Sequence, residues 1–86
     1  MREQAIEIDG EPLFAPGQKV QSIRHVKNDG TVFGREVGER LVAKGEVGYV
    51  RDIGTFLQQY YIYAVEFPAS GVVVGMRARE LTAMEG

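Results

Sequence analysis

Glycine constrains this chain more than any other residue type. Eleven glycines and three prolines divide its 86 residues into intervals mostly shorter than three helical turns. Helices that short are marginal unless packing supports them strongly. Helical periodicity is poor even in the two longer intervals, residues 18–29 and 55–67. What recurs instead is short, β-branched or aromatic, and bounded by turn-forming residues. An all-β fold is the expectation.

The clearest strand is "YYIYAVEF", residues 60–67. Alternation puts Tyr61, Tyr63, Val65 and Phe67 on one face, and Ile62, Ala64 and Glu66 on the other. "EVGYVRDI" reads as a second strand, in which Gly48 marks a bulge or the close approach of another backbone. "QKVQSIRHV" is an irregular strand, and "VVVGM" a short one after the turn "PASG". "ERLVAKG" is a helical turn or a short strand, with Leu41 and Val42 facing the core. Residues 27–40 are polar and glycine-rich and read as one long loop. Leu81 is the expected last core residue, after a single 3₁₀ turn. Residues 1–13 form a tail or an edge strand ahead of a domain covering 14–86. About five strands, a long first loop and no real helix predict a small SH3-like five-stranded barrel, which protects most strand edges. A five-stranded OB barrel competes, but it usually needs a helix for which there is no room.

Composition removes several function classes. There is no cysteine, so disulfides, thiolate nucleophiles and thiolate-held clusters are excluded. The single histidine, His25, cannot make a His-rich metal site. No cofactor is expected. The formal net charge is −2, so no global basic field draws in nucleic acid. The charged opening "MREQAIEIDG" is unlike a signal peptide, and no apolar run approaches bilayer length. A cytoplasmic chain without a membrane segment is expected. Arg24, Lys27, Arg51, Arg77 and Arg79 are diluted by nearby acids, and neither "GxxxxGK" nor "GxGxxG" occurs.

Two segments stand out as candidate contact sites. In "HVKNDGT", Asn28, Asp29 and Gly30 supply the positive φ of a tight turn, and Thr31 follows. In "GTFLQQ", Phe56 and Leu57 lie where a polar hairpin loop is expected. Either they fold back, Phe56 plugging an open barrel end, or they are exposed for a partner. The partner surface read from these segments comprises Asn28, Asp29, Gly30 and Thr31 with Thr55, Phe56, Leu57 and Gln58. Arg51 and Asp52 lie beside them at a strand end. Asp29, Thr31 and Gln58 supply hydrogen bonds, and Phe56 and Leu57 apolar contact. No nucleophile, base and orienting group can be assembled, so an enzyme is not expected; His25 receives no role.

"VKNDGT", "LVAKGEVGYVRDIGTFLQ", "IYAVEF" and "VVGMRARELT", in that order and spacing, resemble the NifZ family of nitrogen-fixation accessory proteins. The likeness runs from about Phe14 to Thr82. It implies an SH3-like β fold and a chaperone-like role in maturing the molybdenum–iron protein of nitrogenase, aiding formation of its P-clusters. The implied partner is that protein or its precursor, with other nitrogenase assembly factors as further candidates. Family members often carry cysteine where Met76 stands here, and longer members continue past this region. Two other classes stay open. One is an SH3-like small subunit of an iron–sulfur enzyme, similar to the variable chain of ferredoxin–thioredoxin reductase. The other is a KOW-like module binding RNA or ribosomes.

Overall fold

The computed structural model describes residues 8, 10–30 and 32–85. Among these, seven strands form: β1 (Lys19–Ser22), β2 (Val26–Lys27), β3 (Arg40–Val42), β4 (Val47–Phe56), β5 (Tyr60–Phe67), β6 (Val72–Met76) and β7 (Leu81–Ala83). Among the described residues, the only helical element between strands is a 3₁₀ turn, Ala78–Glu80, just before β7. Five strands make one antiparallel sheet in the order β6-β5-β4-β1-β7, and β2 and β3 pair as a separate ribbon.

The all-β expectation holds, and two details differ from it. The long loop expected over 27–40 is present over 28–39, but its base is closed by a separate ribbon, Val26 pairing with Val42 and Lys27 with Arg40. The described strands do not close into a barrel; β6 and β7 remain the two edges of the sheet. Yet only Arg77 and the 3₁₀ turn separate them in sequence. Five Cα–Cα steps from Met76 to Leu81 reach at most about 17 Å. The sheet must therefore curl until its opposite edges nearly meet.

One face of the curled sheet makes the core. Val20, Val50, Tyr63, Val65, Phe67, Val72 and Met76 come from the sheet, and Leu41 and Val42 from the ribbon packed on it. The alternation expected in β5 is observed, with Tyr63, Val65 and Phe67 buried and their neighbours only partly so. Leu81 is buried as expected. Phe14, rather than Phe56, fills the space at the end: it is buried and meets Tyr63 edge-on, with ring centroids 5.2 Å apart. The chain before it is fastened to the sheet, since the Leu13 N–H donates to the Tyr63 hydroxyl and the Tyr61 hydroxyl donates to the Gly10 carbonyl. The alternation expected over Ala5–Ile8 and the turn at Asp9-Gly10 lie mostly outside the described residues.

Two features of β4 follow from its sequence. Val50 pairs with Val65 and Asp52 with Ala64, leaving Arg51 without an opposite residue. This bulge shifts the alternation by one. Gly48 and Val50 point inward before it and Ile53 after it, so the Asp52 charge stays outside. Gly48 is the close approach its sequence position announced. A Cβ there would sit 2.6 Å from Val65 Cγ1 and 2.8 Å from the Glu66 carbonyl oxygen.

Candidate functional site

The first predicted segment is built around a buried amide. Asn28 is 2% exposed. Its Nδ2 reaches the carbonyls of Val32 (3.2 Å), Arg35 (3.0 Å) and Glu36 (3.2 Å). Its Oδ1 accepts from the N–H groups of Gly30 (2.9 Å) and Val32 (3.2 Å). Its backbone N–H donates to Glu39, and its carbonyl accepts from Gly38. Asn28 therefore spends its polar groups on holding the 28–39 loop in one shape. It positions a surface and offers little to a partner directly. Gly30 turns with φ +106°, and Asp29 beside it is exposed. Thr31 lies outside the described residues.

The second segment is strand for longer than its sequence indicated. Gly54, Thr55 and Phe56 continue β4 opposite Ile62, Tyr61 and Tyr60, so the hairpin loop is only residues 57–59. Leu57 and Gln58 both have φ 54°, and the Gln59 N–H closes the turn onto the Phe56 carbonyl at 3.0 Å. Asparagine and glycine normally occupy such left-handed positions. Leu57 is 70% and Phe56 48% exposed, so neither folds back into the core. Phe56 leans on Tyr60, with centroids 5.4 Å apart, and the Arg77 guanidinium lies 3.5 Å over the Tyr60 ring. Arg77 Nε is buried and has no hydrogen-bond partner among the described residues, so the aromatic face is its main compensation.

An open cleft of about 940 Å³ brings the two segments together. Its lining includes Asp29 from the first and Phe56 from the second, together with Val73, Gly75 and Met76 of β6. Thr55, Leu57 and Gln58 stay on the hairpin outside this lining, as do Arg51 and Asp52. Arg51 pairs with Glu66 at 3.1 Å, and Asp52 Oδ1 accepts from the Ile53 N–H. Both lie on the outer face of the sheet and do not join the Asp29 side. His25 also lines the cleft. Its Nδ1 accepts the Lys44 N–H at 3.0 Å, so the neutral ring carries its proton on Nε2.

Sequence reasoning missed Tyr60, Val73, Arg77 and Phe33. Tyr60 and Val73 are ordinary strand residues and Arg77 directly follows β6, so the exposure of each depends on which sheet face is left uncovered. Phe33 is fully exposed on the loop that Asn28 organises; a lone aromatic in "TVFGRE" was the available signal. Among the described residues, no three His, Asp or Glu side chains are grouped to hold a metal ion. No helix there is long and apolar enough to cross a membrane.

Comparison with known proteins places this arrangement. The NifZ domain profile matches residues 11–83. A NifZ-assigned protein of Sinorhizobium fredii is 60% identical over 85 residues, covering 99% of this chain and 79% of the relative. The NifZ protein of Klebsiella pneumoniae is 43% identical over 70 residues, covering 81% of this chain and 47% of its own. That of Azotobacter vinelandii is 46% identical over 70 residues and is covered over 44% of its length. The chain thus spans about half the length of these last two. No solved structure matches it. A profile match across most of the domain, and high identity to relatives along nearly the whole chain, make this protein a member of the nitrogen-fixation-related NifZ family.

Proposed function

We propose that this protein is a binding module of nitrogenase maturation. It docks on the molybdenum–iron protein or its precursor, acts there like a chaperone in P-cluster formation, and performs no catalysis and carries no cofactor of its own. Membership of the NifZ family supplies the nitrogen-fixation context. The observation that carries the binding role is the β4–β5 hairpin. It holds Leu57 and half-exposed Phe56 out from the core, on a turn whose backbone is unfavourable for its tip residues Leu57 and Gln58. Strained and apolar loop tips cluster at functional sites.

The contact surface in this reading comprises Asp29, Gly30 and Thr31 on one side, and Thr55, Phe56, Leu57 and Gln58 on the other. Arg51 and Asp52 are flanking charges, and Asn28 sets the shape of the first side. The fold is read as SH3-like. The strand order, the long excursion between β1 and β4, and the 3₁₀ turn before the last strand support that reading.

The test is affinity capture from nitrogen-fixing cells with wild-type chain and with Phe56→Ala. Capture of the molybdenum–iron precursor should fall about tenfold or more, as for aromatic hot spots. The melting temperature should change little, because the ring is half exposed. Retention of RNA or ribosomes instead of nitrogenase proteins would replace this reading with the KOW-like one. A permanent one-to-one complex with an iron–sulfur enzyme would replace it with the small-subunit one.

A further inference from the structure

Strand β6 ends the sheet inside the cleft. It pairs with β5 along one side. Among the described residues, no backbone hydrogen bond occupies its other side. Natural sheets usually blunt such an edge with charge, proline or a bulge. This one, "VVVGM", has no charge and no proline, its pairing with β5 runs without a register shift, and Val73 is 56% exposed. The other edge, β7, is only three residues long. A bare β6 edge invites non-specific pairing unless it serves a specific one.

The space beside that edge has a defined chemistry. The cleft of about 940 Å³ is bounded on its far side by the 24–29 segment of the same chain and floored by apolar side chains that include Val32, Leu41 and Met76. Its charges are Arg24, Lys27, Asp29 and Glu80, with His25 beside them. Glu80 is already engaged, by Arg24 at 3.2 Å and by the Arg77 N–H at 2.9 Å. Lys27 has no ion-pair partner among the described residues, and the His25 tautomer described above presents its Nε2–H as a donor. The unsatisfied character of the cleft is therefore a row of backbone donors and acceptors, an apolar floor, and the Lys27 ammonium and His25 Nε2–H on its wall.

We infer that β6 receives an extended segment of a partner protein as an additional strand of the sheet. The segment is apolar at the positions facing Leu41 and Val32, and it bears a carboxylate that meets Lys27 and the His25 Nε2–H. Strand addition of this kind takes affinity from main-chain hydrogen bonds and specificity from alternate side-chain pockets. A strand added to β6 would lie about 4.8 Å from it, within the open cleft that β6 lines. A second copy of this chain would bring its own 24–29 wall against the first, so two β6 edges cannot pair without displacing both walls. The inference rests on the binding-module reading and states how the partner is held.

Amide hydrogen exchange on the full chain tests it, with and without the molybdenum–iron protein precursor as probe. The amides of residues 72–76 should slow in the complex, while those of β7 should not. Val73→Lys puts a charge on the exposed edge and should weaken capture by about tenfold or more with an unchanged melting curve. Lys27→Glu should weaken capture and flatten its salt dependence. A complex that slows exchange at residues 57–59 but leaves β6 unchanged overturns strand addition and spares the proposed function. Absence of any complex overturns both. Slowed β6 exchange that depends only on the concentration of the chain itself would make the occupant a second copy and overturn the inference as stated.

Discussion

Asn28 and Gly48 each do something no other residue type could do in their place. Asn28 needs both ends of its amide, since it donates to three carbonyls and accepts from two N–H groups within one loop. In Asn28→Asp the acceptor half survives, but a carboxylate would face three carbonyl oxygens. We expect a loss of about 2–3 kcal/mol at neutral pH from the lost donors and the buried charge. The protonated acid regains a donor, so folding raises the carboxyl's affinity for its proton. The loss relative to wild type should therefore shrink as the pH is lowered, and urea denaturation of both proteins across pH measures this. Gly48 needs to be nothing but hydrogen at its side-chain position. A methyl group there meets a backbone carbonyl and two core side chains at under 3.0 Å. Gly48→Ala should cost about 1–3 kcal/mol through overpacking, or more because backbone must move. The same denaturation measurement reads it.

At the scale of elements, the hairpin and the bulge show what the sequence displayed and what it concealed. The strand "YYIYAVEF" is legible face by face, because its alternation is uninterrupted and Tyr63, Val65 and Phe67 of its inner face are buried. The end of β4 was not legible. "GTF" lacks alternation and begins with glycine, so the strand was read as stopping near Ile53, whereas pairing with β5 carries it to Phe56. The bulge at Arg51 was invisible for a related reason: one extra residue re-phases a strand, and only the partner strand reveals it. The turn at Leu57-Gln58 was noticed as an oddity of polarity, while the deeper oddity is its left-handed backbone. That backbone makes a prediction. Replacing Leu57 and Gln58 with Asn-Gly should raise stability by about 1 kcal/mol or more, by removing left-handed strain. It should also reduce capture of the nitrogenase precursor if Leu57 is a contact. Thermal melts and capture assays on one double mutant separate the two effects.

For the molecule as a whole, the expected core was largely correct, but the site was only half legible. Asp29 and Phe56 do meet at one cleft. A further element of its lining, β6, was read only as a short β-branched strand, because an edge is a property of the sheet and not of the strand. The boundary placed between residues 13 and 14 also falls at a point where the structure is continuous. Gly10 and Leu13 are tied to Tyr61 and Tyr63, and Phe14 seals the core from that side. Phe14→Ala should therefore behave as a core truncation, costing about 3–5 kcal/mol. A domain of this size has little more than that to lose, so loss of the folded baseline in circular dichroism at 37 °C is the expected readout. The position of β1, between β4 and β7, bears on how the molecule comes into being. β1 acquires its second neighbour only from residues 81–83. That pairing joins segments far apart in sequence, and such contacts slow folding. Until residues 81–83 dock, β1 lacks its second neighbour, and the sheet has a further bare strand edge. A chain that has not yet docked this segment therefore offers other chains one more strand to pair with than the finished fold does.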